Sequence, residues 1–256
     1  MGTIQIDPDA PYFRGHFPEH PILPGVVQLM LLVDHLSQEA GRRLTLRSIK
    51  FARLRQLVLP NDRLDIAARA AAGVFTRVDV KRDGVLVANA ELELSTAVLE
   101  QRSVRLRPSE GVPVAAPPLD RLLPHRPPMR FVTGLEREMD GGLQCTACVP
   151  SQCGLALAGR APAVIALEAA AQTAAAWEAL RRARGGGAAG ARIGYLVAIR
   201  DVSFLAESIA ADVAFTATVQ LEAAALPLTH YAVEVAMRDE VVLRGRIATV
   251  LAEQAP

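Results

Sequence analysis

The chain repeats one helix opening, and that repeat limits its fold more than any other feature. Pro24-Gly25-Val26-Val27-Gln28-Leu29 aligns on Pro162-Ala163-Val164-Ile165-Ala166-Leu167, so each half is expected to build the same unit around one enclosed helix. After Pro24 the residues Val26, Val27, Leu29, Met30, Leu31, Leu32, Val33 and Leu36 are apolar almost all round, the pattern of a helix covered on every side. Gly41, with Arg42 and Arg43 beside it, reads as the stop. A short strand over Thr3 to Ile6 precedes this helix. From Leu44 the period changes to two: Leu46, Ser48, Lys50 and Ala52 alternate with Arg47, Ile49 and Phe51. Three further strands are expected over Arg63 to Ala71, Val74 to Lys81 and Val85 to Ser95. In the second half an apolar helix within Ala161 to Trp177 and a glycine-rich loop, Gly185 to Gly190, lead to strands at Gly194 to Phe204, Asp212 to Ala223, Leu228 to Met237 and Val241 to Leu251. A helix followed by an antiparallel meander, twice over, is an α+β fold of two domains, expected at 1–101 and 119–256 with a Pro- and Arg-rich linker at 102–118.

Composition closes off several functions. A formal net charge of +1 and an aromatic content of 4% leave neither the field nor the stacking platforms that nucleic acid requires. The Ala161 to Trp177 segment approaches the length of a membrane span but carries Glu168 and Gln172 in its middle, so a buried helix in a protein without a membrane span is expected. Met1 to Ala10 has neither a basic start nor an apolar run, which predicts a cytoplasmic protein without a secretory signal. Cys145, Cys148 and Cys153 form a cluster without a second pair or a nearby histidine, and they read as small buried hydrophobes rather than a metal site.

Chemistry concentrates between Gly15 and Met30. Pro18, Pro21 and Pro24 stiffen the loop that carries His16, and the helix that follows opens with amides at Gly25 and Val26 that lack intrahelical acceptors. A histidine and free backbone donors therefore converge on one small volume.

His16-Phe17-Pro18, Pro21-Ile22 and Pro24-Gly25-Val26, reinforced by Lys50-Phe51 and Leu59-Pro60-Asn61-Asp62, stand at the spacing of the hotdog-fold 3-hydroxyacyl-acyl-carrier-protein dehydratases, which the chain resembles. Leu122-Leu123-Pro124-His125-Arg126-Pro127-Pro128-Met129 resembles the opening of the same family, a segment the first half lacks. The two-part arrangement looks like the paired dehydratase subunits of aryl-polyene-type pathways fused into one chain. The resemblance implies a double hotdog, a pseudo-dimer in which two curved sheets each wrap a central helix and the site lies between them.

The family places an Asp or Glu six residues after the proline of Pro-Gly. Here that position is Met30 in the first half and Glu168 in the second, while eight residues before each proline stand His16 and Gly154. Each half keeps what the other lost. The resemblance thus implies one composite site with catalytic His16 and Glu168, the Gly25 amide as oxyanion donor, the Ile22 carbonyl fixing the His16 tautomer, and Gln172, at i+4, orienting Glu168. The mirror site, with Gly154 and Met30, should be dead. The reaction implied is loss of water from a 3-hydroxyacyl thioester to the trans-2-enoyl form, without metal or organic cofactor, on an acyl carrier protein, with further homo-oligomerisation open. Glu168, on an apolar helix face, is expected to have a raised pKa and to serve as the acid.

His20, His35, His125 and His230 have no acid at motif spacing and read as structural or exposed; Asp34 occupies the glutamine position rather than that of a displaced acid. Arg42, Arg43, Arg47, Lys50, Arg53 and Arg55 form a basic stretch that an acidic carrier could meet, or a solvated strand face. Two other functions fit the same residues: an acyl-thioesterase in which the carboxylate activates water, and a non-catalytic acyl-binding or scaffolding subunit.

Overall fold

The first enclosed helix, α1 (Gly25–Glu39), buries Val26, Val27, Leu29, Leu32 and Leu36, as its all-round apolar sequence requires. It stops in a Schellman arrangement, with Gly41 at φ +62°, Gly41 N–H donating to Gln38 O and Arg42 N–H to Ser37 O. The structure, a computed structural model, describes residues 2–97, 104–105, 110–115, 117–185 and 192–252. Around α1 run β1 (Gly2–Gln5), β2 (Thr45–Leu54), β3 (Arg63–Ala70), β4 (Phe75–Arg82) and β5 (Val85–Ser95). β4 and β5 are joined at Asp83-Gly84, both at positive φ, the two-residue turn whose twist suits a hairpin.

The second half comprises β6 (Val112–Pro113), α2 (Leu119–Leu122), β7 (Val132–Met139), β8 (Gly142–Ala147), β9 (Arg160–Pro162), α3 (Ala166–Arg184), β10 (Gly194–Phe204), β11 (Ser208–Ala210), β12 (Phe215–Ala225), β13 (Leu228–Met237) and β14 (Glu240–Leu251). The alanines of α3, among them Ala169, Ala170, Ala174 and Ala176, favour the helix and let the strands beneath approach it closely. Its basic last turn, Arg181, Arg182 and Arg184, suits the dipole's negative end. The halves join edge to edge through β2 and β10, giving one twelve-stranded sheet in the order β1-β3-β4-β5-β2-β10-β14-β13-β12-β8-β7-β6. β9 and β11 form a separate pair. Among the described residues no helix is long and apolar enough to cross a membrane.

The period-two reading of β2 is corrected. Leu46, Ile49 and Ala52 are the buried positions, because register shifts between Leu46 and Ser48 and between Ile49 and Phe51 turn the strand between contacts with β5. β7 and β8 were not anticipated. Their interior face carries Leu143, Cys145 and Ala147, so Cys145 is a core residue, and burial pushes its thiol up to about 12. Of the expected linker, residues 102, 103, 106–109 and 116 lie outside the described residues, as do 186–190 of the glycine-rich loop. The described part runs along the second half: Val112 and Pro113 pair with Glu138 and Arg137, and Arg105 bridges Glu240.

Candidate active site

His16 sits in the turn after a 3-10 segment, Pro11–Phe13, and is buried. Its Nδ1–H donates to Ile22 O at 2.7 Å. A carbonyl can only accept, so Nε2 is left with a free lone pair. Burial drives the His16 pKa down to about 4, against an upward pull from Glu168, and the ring is neutral at pH 7. The loop is docked on the second half. Gly15, at φ +106°, accepts a hydrogen bond from Arg126 N–H at 2.9 Å, and a Cβ there would collide with the Arg126 carbonyl oxygen. Gly15→Ala is therefore expected to destabilise the chain by about 1 to 3 kcal/mol and to lower activity through displacement of His16, measurable as a lower urea midpoint together with a reduced turnover number.

Glu168 enters from the other half, on the first turn of α3, and is also buried. Gln172 Nε2 donates to Glu168 Oε1 at 3.1 Å and to Met129 O at 2.8 Å, while its Oε1 accepts from the Phe131 and Val132 amides at 2.8 and 3.2 Å. This saturated amide fastens the segment after the Pro-His-Arg-Pro-Pro loop to α3. In doing so it brings in a residue that reads from sequence as structural or exposed. His125 Nε2 lies 3.3 Å from Glu168 Oε1, and the His125 ring is 5.3 Å from that of His16 and 4.9 Å from that of Phe17. One ring nitrogen of each histidine and one Glu168 oxygen all lie within 4.8 Å of one another.

The expected pKa of Glu168 is also corrected. Burial raises it, but the hydrogen bond with His125, the charges of the two histidines and the Gln172 donor outweigh burial and hold the carboxyl well below the usual range. The His125 and Gln172 contacts act whatever the state of His16, so Glu168 is ionised at neutral pH and does not store a proton.

His16, Ile22, Gly25, His125 and Glu168 line one cavity of about 290 Å³, which continues along α3 past Ala171, Ala175 and Glu178. These α3 positions share one helix face, and the two alanines leave it open. Among the described residues no group accepts from the Gly25 N–H, which is left for a ligand. The missing Gly25 Cβ makes room for Leu54, which occupies its space.

The mirror cavity, about 960 Å³, is lined by Met30, Asp34, Gly154 and Ala163. Its helix-start amide is not free: Ala163, the counterpart of Gly25, donates to Glu207 O at 2.9 Å. The basic stretch is largely paired within the chain, Arg43 with Glu207, Lys50 with Glu91, Arg55 with Asn89 and Arg47 with the Ala97 carbonyl.

Two helix-wrapping sheets fused edge to edge, with an imidazole and a carboxylate facing each other across the join, define a double-hotdog dehydratase. A family model described as ApeP dehydratase matches residues 117–255, and one described as ApeI dehydratase matches residues 1–88. The chain belongs to the ApeP-like dehydratase family, with an ApeI-like half fused ahead of it, and is a hydro-lyase. The 3-hydroxyacyl-acyl-carrier-protein dehydratase FabZ of Agrobacterium fabrum is 34% identical over 107 residues, 36% of this chain and 67% of that protein. In fold it is similar to a dehydratase domain of a trans-AT PKS from Brevibacillus brevis, with TM-score 0.74 and 12% identity over 98% of this chain and 93% of that one. The dehydratase heterocomplex ApeI:P from Xenorhabdus doucetiae gives TM-score 0.50 and 22% identity over 55% of this chain and 94% of that one.

Proposed function

We propose that the chain removes water from a 3-hydroxyacyl thioester carried on an acyl carrier protein, using one composite site per chain, in fatty-acid-like or aryl-polyene biosynthesis. The observation that carries this reading is the convergence of a neutral His16, an ionised Glu168 and the unclaimed Gly25 amide on one cavity, with each half supplying what the other lacks. The Gly25 N–H polarises the thioester carbonyl, which acidifies C2 and receives the charge of the developing enolate. His16 Nε2 takes the C2 proton. Glu168 accepts a hydrogen bond from the 3-hydroxyl and stabilises the imidazolium that has just formed. The imidazolium then gives the same proton to the departing oxygen as the C3–O bond breaks and the C2–C3 double bond forms. Water leaves, and the site returns to its starting protonation. Ile22 O holds the His16 tautomer; Gln172 and His125 position the carboxylate.

The test is incubation of the chain with 3-hydroxyacyl thioesters of several lengths on carrier protein, followed by mass spectrometry. Loss of 18 Da with the thioester intact supports the reading. Release of free acid would instead make the chain a thioesterase, and an unaltered substrate would leave it an acyl-binding subunit.

A further inference from the structure

The cavity gathers a second kind of chemistry that neither the family membership nor the elimination reaction uses. Two imidazoles and a carboxylate are a donor set of the kind that holds zinc with one position left open to water. The His125 Nε2 to Glu168 Oε1 separation of 3.3 Å, a hydrogen bond in this structure, equals the edge of a tetrahedron with ligand bonds of about 2 Å, so an ion can take the place of the bridging proton. His16 shows the accompanying outer contact of a ligating histidine, its Nδ1–H donated to a backbone carbonyl at 2.7 Å with Nε2 left bare. Gln172 Nε2 donates at 3.1 Å to the same Glu168 Oε1 that faces His125, and so fixes the carboxylate. Among the described residues this is the one such group whose atoms come within 4.8 Å of one another, and the acyl cavity gives an entry path.

We infer that His16, His125 and Glu168 bind a single borderline divalent ion of the zinc class, and that the bound ion blocks dehydration by occupying the base and the carboxylate together. The hard ion Mg²⁺, which favours six oxygens, is excluded by the two nitrogens. The inhibition rests on the dehydratase reading; the binding does not.

The experiment uses the full chain, treated with chelator and dialysed, and titrated with Co²⁺ as a spectroscopic probe. A visible d–d band of four-coordinate intensity that saturates at one Co²⁺ per chain and is displaced by Zn²⁺ is expected. His125→Gln, which keeps His16 and Glu168, should lose the band. In parallel, turnover should fall in proportion to the Zn²⁺-filled fraction, recover fully with EDTA, and be unmoved by Mg²⁺. His125→Gln should retain measurable turnover and become insensitive to Zn²⁺. No band, a band that survives in His125→Gln, or a thiolate charge-transfer band placing the ion on Cys148 or Cys153 would overturn the site. A saturated band with undiminished turnover would overturn the inhibition. A saturated band in a chain that dehydrates no thioester would sink the dehydratase reading and leave the metal site standing.

Discussion

In chelator-treated protein, His16→Ala is expected to lower kcat/KM for dehydration by about 10² to 10⁴, the contribution of a positioned acid-base group. Glu168→Gln keeps the shape and hydrogen bonding of the side chain but removes the charge that stabilises the imidazolium, and should cost about 10² to 10³. Because Glu168 acts by stabilising the imidazolium that His16 forms, the double variant should be little worse than the poorer single one; additive losses would separate the two residues into independent functions. The pH dependence follows from burial. With the His16 pKa lowered from 6.5 to about 4, the base form survives well into acid, so the acid limb of kcat/KM should lie near 4 and not near 6.5. Stability carries the same sign. Between pH 6.5 and about 4 the unfolded chain binds a proton that buried His16 refuses. Its contribution is therefore full above 6.5 and is lost as the pH falls towards 4. Glu168, whose folded pKa is depressed, likewise contributes above its unfolded value of 4.5 and loses that contribution as the pH falls through the folded one. The urea midpoint should drop across this range in the native chain and drop less in His16→Ala.

The mirror cavity should stay silent even when its side chains are restored. A slow mechanism-based reagent that alkylates the catalytic histidine is expected to saturate at one label per chain, on His16, although the mirror cavity is also present. Met30→Glu with Gly154→His should create neither a second label nor extra turnover. Gly154 lies at φ +77° and its Cβ would stand 2.8 Å from the Pro11 ring, so a histidine there is strained by about 1 to 3 kcal/mol before any clash is counted. The Ala163 amide would still be held by Glu207 O at 2.9 Å and could not receive an enolate. Melting of the double variant should therefore fall below that of the native chain, with dehydration unchanged per folded molecule. A doubled rate or two labels per chain would mean that the mirror cavity is a working site.

Much of this protein was legible in the residues themselves. The doubled helix opening gave two units of one plan, because a helix that is apolar all round has to be enclosed wherever it occurs. The family resemblance pointed to His16 and Glu168 through the complementary losses at Gly154 and Met30, and to the Ile22 carbonyl and Gln172, each of which touches its partner a short chain distance away. Beyond the His16 and Glu168 pair, what depended on long-range packing was not legible. His125 has no spacing relation to Glu168; its one signal was membership of the Leu-Pro-His-Arg segment, and it meets the carboxylate because Gln172 ties the Met129 to Val132 backbone to α3. The ionisation of Glu168 was misread for the same reason. An apolar helix face shows the desolvation that raises a carboxyl pKa, but the donors that lower it arrive from another segment. The inward turn of Leu46, Ile49 and Ala52 depends on slips in pairing with β5, and in the second cavity the helix-start amide of Ala163 is taken by a carbonyl from the loop before β11. Sequence determined which groups are present and which helices must be buried; only the tertiary structure decided which of those groups share a proton, a lone pair or an amide, since these interactions act over about 3 Å and chain position says nothing about them once the partners lie in different elements.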